Sequence, residues 1–234
     1  MEFRTLKANE IDCRVSQIDK TWLTLLLYKD ARADMDVLDE CAGCMNWKRE
    51  HSRDNANCIV SIWNSDIGQW VSKEDTGTES FSEAEKGLAS DSFKRACVNW
   101  GIGRELYTAP FILIMPKKDI KYKVNGKEVD EFFEKKEGKY DTKTKFWVEY
   151  IDYNKDREIQ NLIIRDQKNN IRFSQLTEEK EKELGKLDVV IKKAFNEDEK
   201  LEKETYNKYK IKDYAELLIK QKVEIVEVIE NENR

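Results

Sequence analysis

The sequence predicts an α+β protein with a β-β-β-α core, in which an antiparallel sheet packs on one long helix. Three observations predict this class. A period of two in the apolar pattern runs from residue 45 to residue 78, a helical period follows it directly, and polar turn residues separate the alternating segments. An additional β-meander and a charged, helical C-terminal tail are predicted to follow this core.

Residues 1–43 mix extended and helical patterns. Leu23–Tyr28 is an apolar run that suits either a strand or the buried start of a helix, because periodicity does not separate the two over so short a run. A helix is then predicted from residue 31, and Gly43 ends it because glycine adopts the left-handed turn of a helix C-terminus without a steric penalty. The predicted apolar face consists of Ala31, Met35, Leu38 and Ala42.

Three strands are predicted next. Residues 57–63 form the second strand and Gln69–Thr76 the third, with a polar, glycine-containing turn between them. One face of the first strand would carry Trp47, Arg49, His51 and Arg53.

The long helix is predicted to begin at Ser82, which forms a capping box with Glu85, and to end before Gly101 and Gly103. At about 100° per residue, one side of it is an apolar stripe suited to lie on the sheet. This stripe consists of Ala89, Phe93, Ala96, Cys97 and Trp100. The opposite side carries Asp91, Lys94, Arg95 and Val98.

Beyond the helix, residues 111–115 lie between two prolines and are predicted to form a buried strand. Asn125 and Gly126 tolerate positive φ and therefore predict a hairpin turn. Segments 146–153, 158–165 and 170–173 are predicted to form the meander. We place a boundary after it, with residues 1–175 as one domain and residues 176–234 as a mostly helical tail that is partly disordered or binds a partner. The valines and isoleucines of residues 223–229 suit a short terminal strand or a docking segment.

The composition favours a cytoplasmic protein. Charged residues make up 38% of the chain, and no apolar run reaches the roughly 20 residues that a membrane helix needs. The N-terminus lacks the apolar stretch of a secretion signal, and five dispersed cysteines indicate reduced thiols. The net charge of −5 argues against a surface made for phosphates throughout, but it is compatible with a local cationic groove.

The run at residues 85–96, with residues 100–107 behind it, resembles the signature of Rad-fifty-two-type single-strand annealing proteins, most closely that of their phage and bacterial branch. Earlier pieces agree in the same order, at residues 28–32, 38–40, 46–47 and 74–77. The resemblance covers residues 6–115, with a looser match to about residue 175. It implies a β-β-β-α core that assembles into a homo-oligomeric ring or helical arc, with single-stranded DNA in an outer cationic groove.

Proteins of this kind anneal complementary strands in recombination and repair and need no nucleotide cofactor, so the resemblance implies neither an enzyme nor a bound cofactor. Lysine and arginine neutralise the phosphates, while the bases stay exposed to a second strand. Lys94 and Arg95 match the helix cations that contact the DNA backbone, and Val98 stands where animal members carry a further cation. Arg32 corresponds approximately to a groove arginine, and Arg104 lies within the signature.

Three more DNA-binding candidates, Arg49, His51 and Arg53, come from the residues alone, because the strand face that they share could line the same groove. The predicted tail would recruit a partner such as an exonuclease or a single-strand-binding protein. A bacterial host cell, with a phage or prophage origin, is the expected setting.

Other classes fit parts of the pattern. Cys41, Cys44, His51 and Cys58 are spaced C-x2-C-x6-H-x6-C, which could hold zinc, although buried thiols also pack as small apolar groups. Glu74, Asp75 and Glu79 could hold the metal of a nuclease, although acidic residues after a strand also suit turns and caps. A metal-dependent nucleic-acid enzyme is therefore one alternative. The other is an assembly scaffold that no longer binds DNA, which Val98 and the negative net charge favour.

Overall fold

A computed structural model describes residues 1–78 and 84–232. Within these ranges the chain combines α-helices with antiparallel strands, which confirms the predicted α+β class. It divides into two compact units. The first comprises Met1–Asp12, Leu27–Pro110 and Lys155–Glu158, and the second comprises Cys13–Leu26, Phe111–Asn154 and Ile159–Arg234. No helix in the described part combines the length and the apolar character that crossing a membrane requires.

The strands and helices follow in this order: β1 (Asp12–Ile18), β2 (Leu23–Tyr28), α1 (Ala31–Ala42), β3 (Trp47–Ser52), β4 (Asn57–Asn64), β5 (Gln69–Thr76), α2 (Ala84–Asn99), β6 (Ile112–Ile114), β7 (Lys121–Val124), β8 (Lys127–Asp130), β9 (Phe132–Lys136), β10 (Lys139–Thr142), β11 (Phe146–Tyr153), β12 (Ile159–Asp166), β13 (Ile171–Gln175), α3 (Glu178–Glu197), α4 (Glu199–Tyr209) and α5 (Ile219–Glu232).

The first unit contains the predicted β-β-β-α arrangement. Its sheet has the order β3-β4-β5 with antiparallel neighbours, and α2 packs on β4 and β5. The Asp30 carboxylate caps α1 by accepting from the Arg32 and Ala33 amides at 2.7 and 3.1 Å, and Gly43 ends that helix with a φ of 88°. Ser82 lies outside the described residues, so the capping box of α2 stays a prediction.

The core of this unit lies between α2 and β4. Alternate β4 residues point towards the helix, and all are at most 3% exposed: Cys58, Val60 and Ile62. From α2, Phe93, Ala96 and Cys97 are fully buried, which confirms the centre of the predicted stripe, whereas Ala89 and Trp100 are half-buried. Burying side chains of this kind stabilises a fold by roughly 1.5–3 kcal/mol for each large one.

The apolar face of α1 is rotated from the predicted one. Ala33, Val37, Leu38 and Ala42 are buried, while Ala31 and Met35 are half-buried. The prediction failed there because it left out a buried acidic residue, Asp34, which lies on the same face.

The second unit contains a six-stranded sheet of order β13-β12-β11-β1-β2-β6 and two hairpins, β7–β8 and β9–β10. Leu23–Tyr28 is therefore a strand, and Asn125 and Gly126 form the predicted turn with φ values of 50° and 79°. The buried strand predicted at residues 111–115 is wrong at its ends. Phe111 and Met115 flank β6 and are 76% and 58% exposed, while Ile112 and Ile114 within the strand are buried.

The C-terminal helices α3, α4 and α5 share a small core of their own within this unit, formed by Ile191, Phe195, Ile211, Leu217, Ile225 and Ile229. The terminal segment is a helix, so the strand considered for residues 223–229 is wrong. Ile225 and Ile229 lie one helical turn apart and pack inward. The predicted boundary after residue 175 falls between β13 and α3 and stays a prediction.

Candidate nucleic-acid interface

Helix α2 is held against the sheet by a close backbone approach. A Cβ atom on Gly77 would lie 2.5 Å from the Ser92 amide nitrogen and 2.9 Å from the Leu88 carbonyl oxygen, so only glycine fits there. The buried Ser92 hydroxyl donates to the Asn55 carbonyl at 3.0 Å. These contacts fix how the outer face of α2 is presented.

The C-terminus of α2 is a Schellman turn. The Gly101 amide donates to the Val98 carbonyl at 2.9 Å, and the Ile102 amide donates to the Cys97 carbonyl at 3.2 Å. Gly101 has a φ of 96°, as the predicted helix end requires.

Two cations neutralise the negative end of this helix. Arg104 donates from Nε to the Val98 carbonyl at 2.7 Å and from Nη2 to the Asn99 carbonyl at 2.9 Å. Lys73 of β5 donates to the same Asn99 carbonyl at 2.9 Å, and its ammonium lies 4.6 Å from the centre of the Trp100 ring. Arg104, a predicted DNA ligand, therefore serves as a helix cap in the free chain.

Lys94 and Arg95 lie on the outer side of α2, as the helical period predicts. The Arg95 side chain is 49% exposed and Lys94 is half-buried. Arg95 Nε donates to Asp75 Oδ1 of β5 at 3.3 Å, and not to Asp91, which lies one helical turn before it in α2. Asp91 instead accepts from the Thr78 amide at 2.9 Å.

Arg49 and His51 lie on the face of β3 that is turned towards α2. The Arg49 guanidinium carbon is 4.8 Å from the centre of the Phe93 ring, and His51 Nδ1 is 3.5 Å from the Ser92 hydroxyl. Burial, together with the charge of Arg49, lowers the pKa of His51. Both side chains therefore contact α2 residues that face the sheet, while Arg49 itself remains exposed, and their role in DNA binding stays a prediction.

Arg53 does not share that strand face. β3 ends at Ser52, and Arg53, Asp54 and Asn55 form a turn with φ values of 51°, 50° and 71°. The prediction extended the strand by one residue, because the alternation of the sequence continues past the point where the chain turns.

Arg32 lies on another element, at the start of α1, and its side chain is 89% exposed. Its Nη1 atom is 3.9 Å from Asp30 Oδ2, an exposed ion pair of little energetic weight. Lys94 and Arg95 thus lie on α2 and Arg104 just beyond its C-terminus, whereas Arg32 lies on α1, and DNA binding by these residues stays a prediction.

A buried ion pair beneath α2 was missed by the sequence analysis. Lys29 donates to Asp34 Oδ1, and the two side chains are 5% and 0% exposed. Asp34 Oδ2 has no hydrogen-bond partner. Burial raises the pKa of Asp34 to about 6, against the attraction of the Lys29 and Lys94 charges. The spacing of a lysine and an aspartate five residues apart does not distinguish such a pair from surface charges.

Four of the six tryptophans lie in or beside the three-stranded sheet, in two different environments. Trp47 stacks on Phe93 with 6.2 Å between ring centres, and Trp100 donates to the Val60 carbonyl at 3.1 Å. Trp63 and Trp70 are 37% and 40% exposed and contact each other edge to face on the side of the sheet away from α2. Both of these rings therefore lie on the exposed face of the sheet.

The metal alternatives find no support in the described part of the chain, where no three His, Cys, Asp or Glu side chains are grouped to hold an ion. Cys58 is buried, which raises its thiol pKa to about 11, whereas Cys44 is exposed. Glu74 and Asp75 are consecutive in β5 and point to opposite faces of the sheet. Glu79 lies outside the described residues.

A family comparison bears directly on α2 and its sheet. Residues 60–125 match the model of the Rad52/22 family double-strand break repair protein. The matched stretch is just over a quarter of the chain and supports a Rad52-type family. It includes Lys94, Arg95 and Arg104, and the candidates Arg32, Arg49, His51 and Arg53 precede it. No match was found among curated proteins or solved structures.

Proposed function

We propose that this chain binds single-stranded DNA and anneals complementary strands in homologous recombination and DNA repair, without ATP. The observation that carries the proposal is the family match, because it falls on the strands and the helix that present Lys94 and Arg95. The family's description as a double-strand break repair protein supports the same biological role.

The proposed function requires the site only to bind the phosphate backbone of the strand. Cationic side chains release condensed counterions from the phosphates and hold the strand by its backbone, so the contact is independent of sequence. The base edges then remain free to pair with a second strand. Annealing breaks no covalent bond, and the proposal therefore involves no cofactor and no catalytic residue.

The finer proposals follow from the resemblance. We propose a homo-oligomer, either a ring or a helical arc, that carries the strand across several subunits. The helical segment after residue 175 would recruit an exonuclease or a single-strand-binding protein. The proposed setting is the cytoplasm of a bacterial host, with a phage or prophage origin.

The test compares the wild-type chain with the double variant Lys94→Glu, Arg95→Glu. Complementary labelled oligonucleotides are mixed with each protein in EDTA and without nucleotide, and both binding and annealing are followed. We expect rapid annealing by the wild type. The variant should bind about tenfold more weakly or worse, because two phosphate contacts are lost and two like charges face the strand.

A matched control makes the same change of net charge in the other unit. Lys200→Glu with Lys203→Glu alters two α4 side chains that are 81% and 74% exposed, and it should bind as the wild type does. Equal losses in both variants would show that net charge alone decides binding. Strand cleavage on adding Mg²⁺ would favour the metal-dependent enzyme, and neither annealing nor cleavage would favour the scaffold.

A further inference from the structure

Asp75 lies in β5 at the point where Arg95, a candidate DNA-binding residue of α2, contacts the sheet. In the register of β4 and β5, Asp75 pairs with the buried Cys58 and therefore lies on the face of the sheet turned towards α2. Its side chain is 27% exposed, at the border between the packed interface and the outer face of the helix. Its neighbour in the chain, Glu74, points to the other face.

The Asp75 carboxylate is fixed from several sides. Oδ1 accepts from the Thr76 amide at 2.7 Å and from Arg95 Nε at 3.3 Å. Oδ2 is 3.5 Å from Asn99 Nδ2, and that amide also donates to the Glu74 carbonyl at 2.8 Å. The carboxylate is thus held by the end of β5 and by the last turn of α2. These contacts position it to accept a hydrogen bond from Arg95.

Asp75 engages only one of the three nitrogens of the Arg95 guanidinium. Within residues 1–78 and 84–232, the terminal nitrogens Nη1 and Nη2 have no hydrogen-bond partner. A guanidinium binds carboxylates and phosphates with the same planar set of donors. A phosphate that reaches Nη1 and Nη2 therefore comes close to the carboxylate that holds Nε, and the two anions repel each other.

We propose that Asp75 is a built-in competitor for the DNA phosphate at Arg95, holding the guanidinium in the free chain and lowering the affinity of α2 for a single strand. This inference rests on the proposed function, since it concerns the same site. The consequence is that each subunit releases the strand readily, which suits a protein that must let go of the duplex that it has formed.

The test measures binding of a fluorescein-labelled oligothymidylate by anisotropy at low and moderate salt. Asp75→Asn keeps an acceptor oxygen for the Thr76 amide and removes the negative charge. A unit charge some 5–6 Å from a phosphate in a largely aqueous setting predicts about three- to tenfold tighter binding, with the gain shrinking as salt is added. Asp75→Ser, a second neutral variant, should act in the same direction.

Glu74→Gln is the matched control, because it removes one carboxylate from the same strand but from the opposite face of the sheet. Glu74 accepts from Asn57 Nδ2 at 3.2 Å, a contact that glutamine retains. We expect its affinity to stay within about twofold of the wild type, which separates the local effect from the change of net charge. In an Arg95→Gln background, Asp75→Asn should lose its advantage over Glu74→Gln.

The outcomes separate this inference from the proposed function. If the wild type does not bind the oligonucleotide, both are overturned. If the wild type binds and the Lys94, Arg95 double variant does not, but Asp75→Asn matches Glu74→Gln, only the competitor role of Asp75 is overturned. A gain in Asp75→Asn that persists undiminished without Arg95 would overturn it as well, since the carboxylate would then repel a phosphate that Arg95 does not hold.

Discussion

Ionisation of Asp34 should make the free energy of unfolding fall as the pH rises from about 4 to about 6, and Asp34→Asn should abolish that fall. Burial raises the pKa of this carboxyl from its ordinary value of 3.8 to about 6, because desolvation outweighs the attraction of Lys29. The folded state therefore holds the proton more tightly than the unfolded state does. One pKa unit corresponds to about 1.36 kcal/mol, so the full loss is about 3 kcal/mol, of which about 2 kcal/mol falls between pH 4 and pH 6.

The direction of the Asp34 pKa shift determines how the free energy of unfolding changes with pH. Below about pH 3 both states carry the proton and Asp34 has no net effect, and above about pH 7 the full cost of the buried carboxylate is present. Urea unfolding followed by tryptophan fluorescence at pH 4, 5, 6 and 7 gives the difference between the wild type and Asp34→Asn at each pH. Asp36→Asn, which removes an exposed carboxylate from the same helix, controls for net charge. A difference between the wild type and Asp34→Asn that stays constant over this range would refute the reasoning.

Two further predictions concern packing and are read from urea midpoints. Gly77→Ala should destabilise the fold by about 2 kcal/mol or more, because its Cβ would lie 2.5 Å from the backbone of α2. Gly185→Ala within α3 is the control. Its new Cβ has no atom within 4 Å, and the variant should gain up to about 1 kcal/mol of stability. Equal midpoints for the two variants would contradict the close approach at Gly77. Arg165→Met should lose about 3–5 kcal/mol, because Arg165 pairs with the buried Glu149 and donates to the Ala215 and Leu217 carbonyls at 2.9 and 3.0 Å. A loss below about 1 kcal/mol would show that the C-terminal helices do not depend on this cluster.

The parts of the fold that the sequence predicts are those where local chemistry and packing agree. β5 was predicted as Gln69–Thr76 and has those bounds, because alternation, a glycine turn and the following helix all mark it. The Asn125–Gly126 hairpin is similar, since its turn conformation is open to few other residues. The terminal helix was ambiguous because β-branched residues favour strands locally. Its inward contacts at Ile225 and Ile229 are made with α3 and α4, far along the chain.

The candidate site was less predictable than the fold, because its charges are assigned by distant partners. The position of Lys94 and Arg95 on the outer side of α2 follows from the helical period, whereas their role as DNA-binding residues is what the family resemblance implies. The partner of Arg95 is 20 residues away on β5, and Arg104 turns back onto the carbonyls of the helix that precedes it. The sequence around Arg165 does not indicate that this side chain is buried, because its acceptors include carbonyls that lie 50 and 52 residues further along the chain. A pattern of residue types indicates where cations lie on an element, and only the tertiary arrangement shows which of them are already engaged.

That distinction bears on how a chain of this kind would hold DNA. Of the cations that the structure describes around the end of α2, Lys73 and Arg104 are bonded to the helix C-terminus and Arg95 is shared with Asp75, so three of these charges are already engaged within the chain. Two phosphate contacts on a single strand give a salt slope of only about −1.4, which corresponds to weak binding. On the proposed function, tight binding then has to come from many subunits acting on one strand, because each contact after the first is made at a high effective concentration. A DNA strand bound by the same weak site on many subunits would be held firmly as a whole, while each single contact exchanges rapidly. Rapid exchange of single contacts is what two strands need to search for their register.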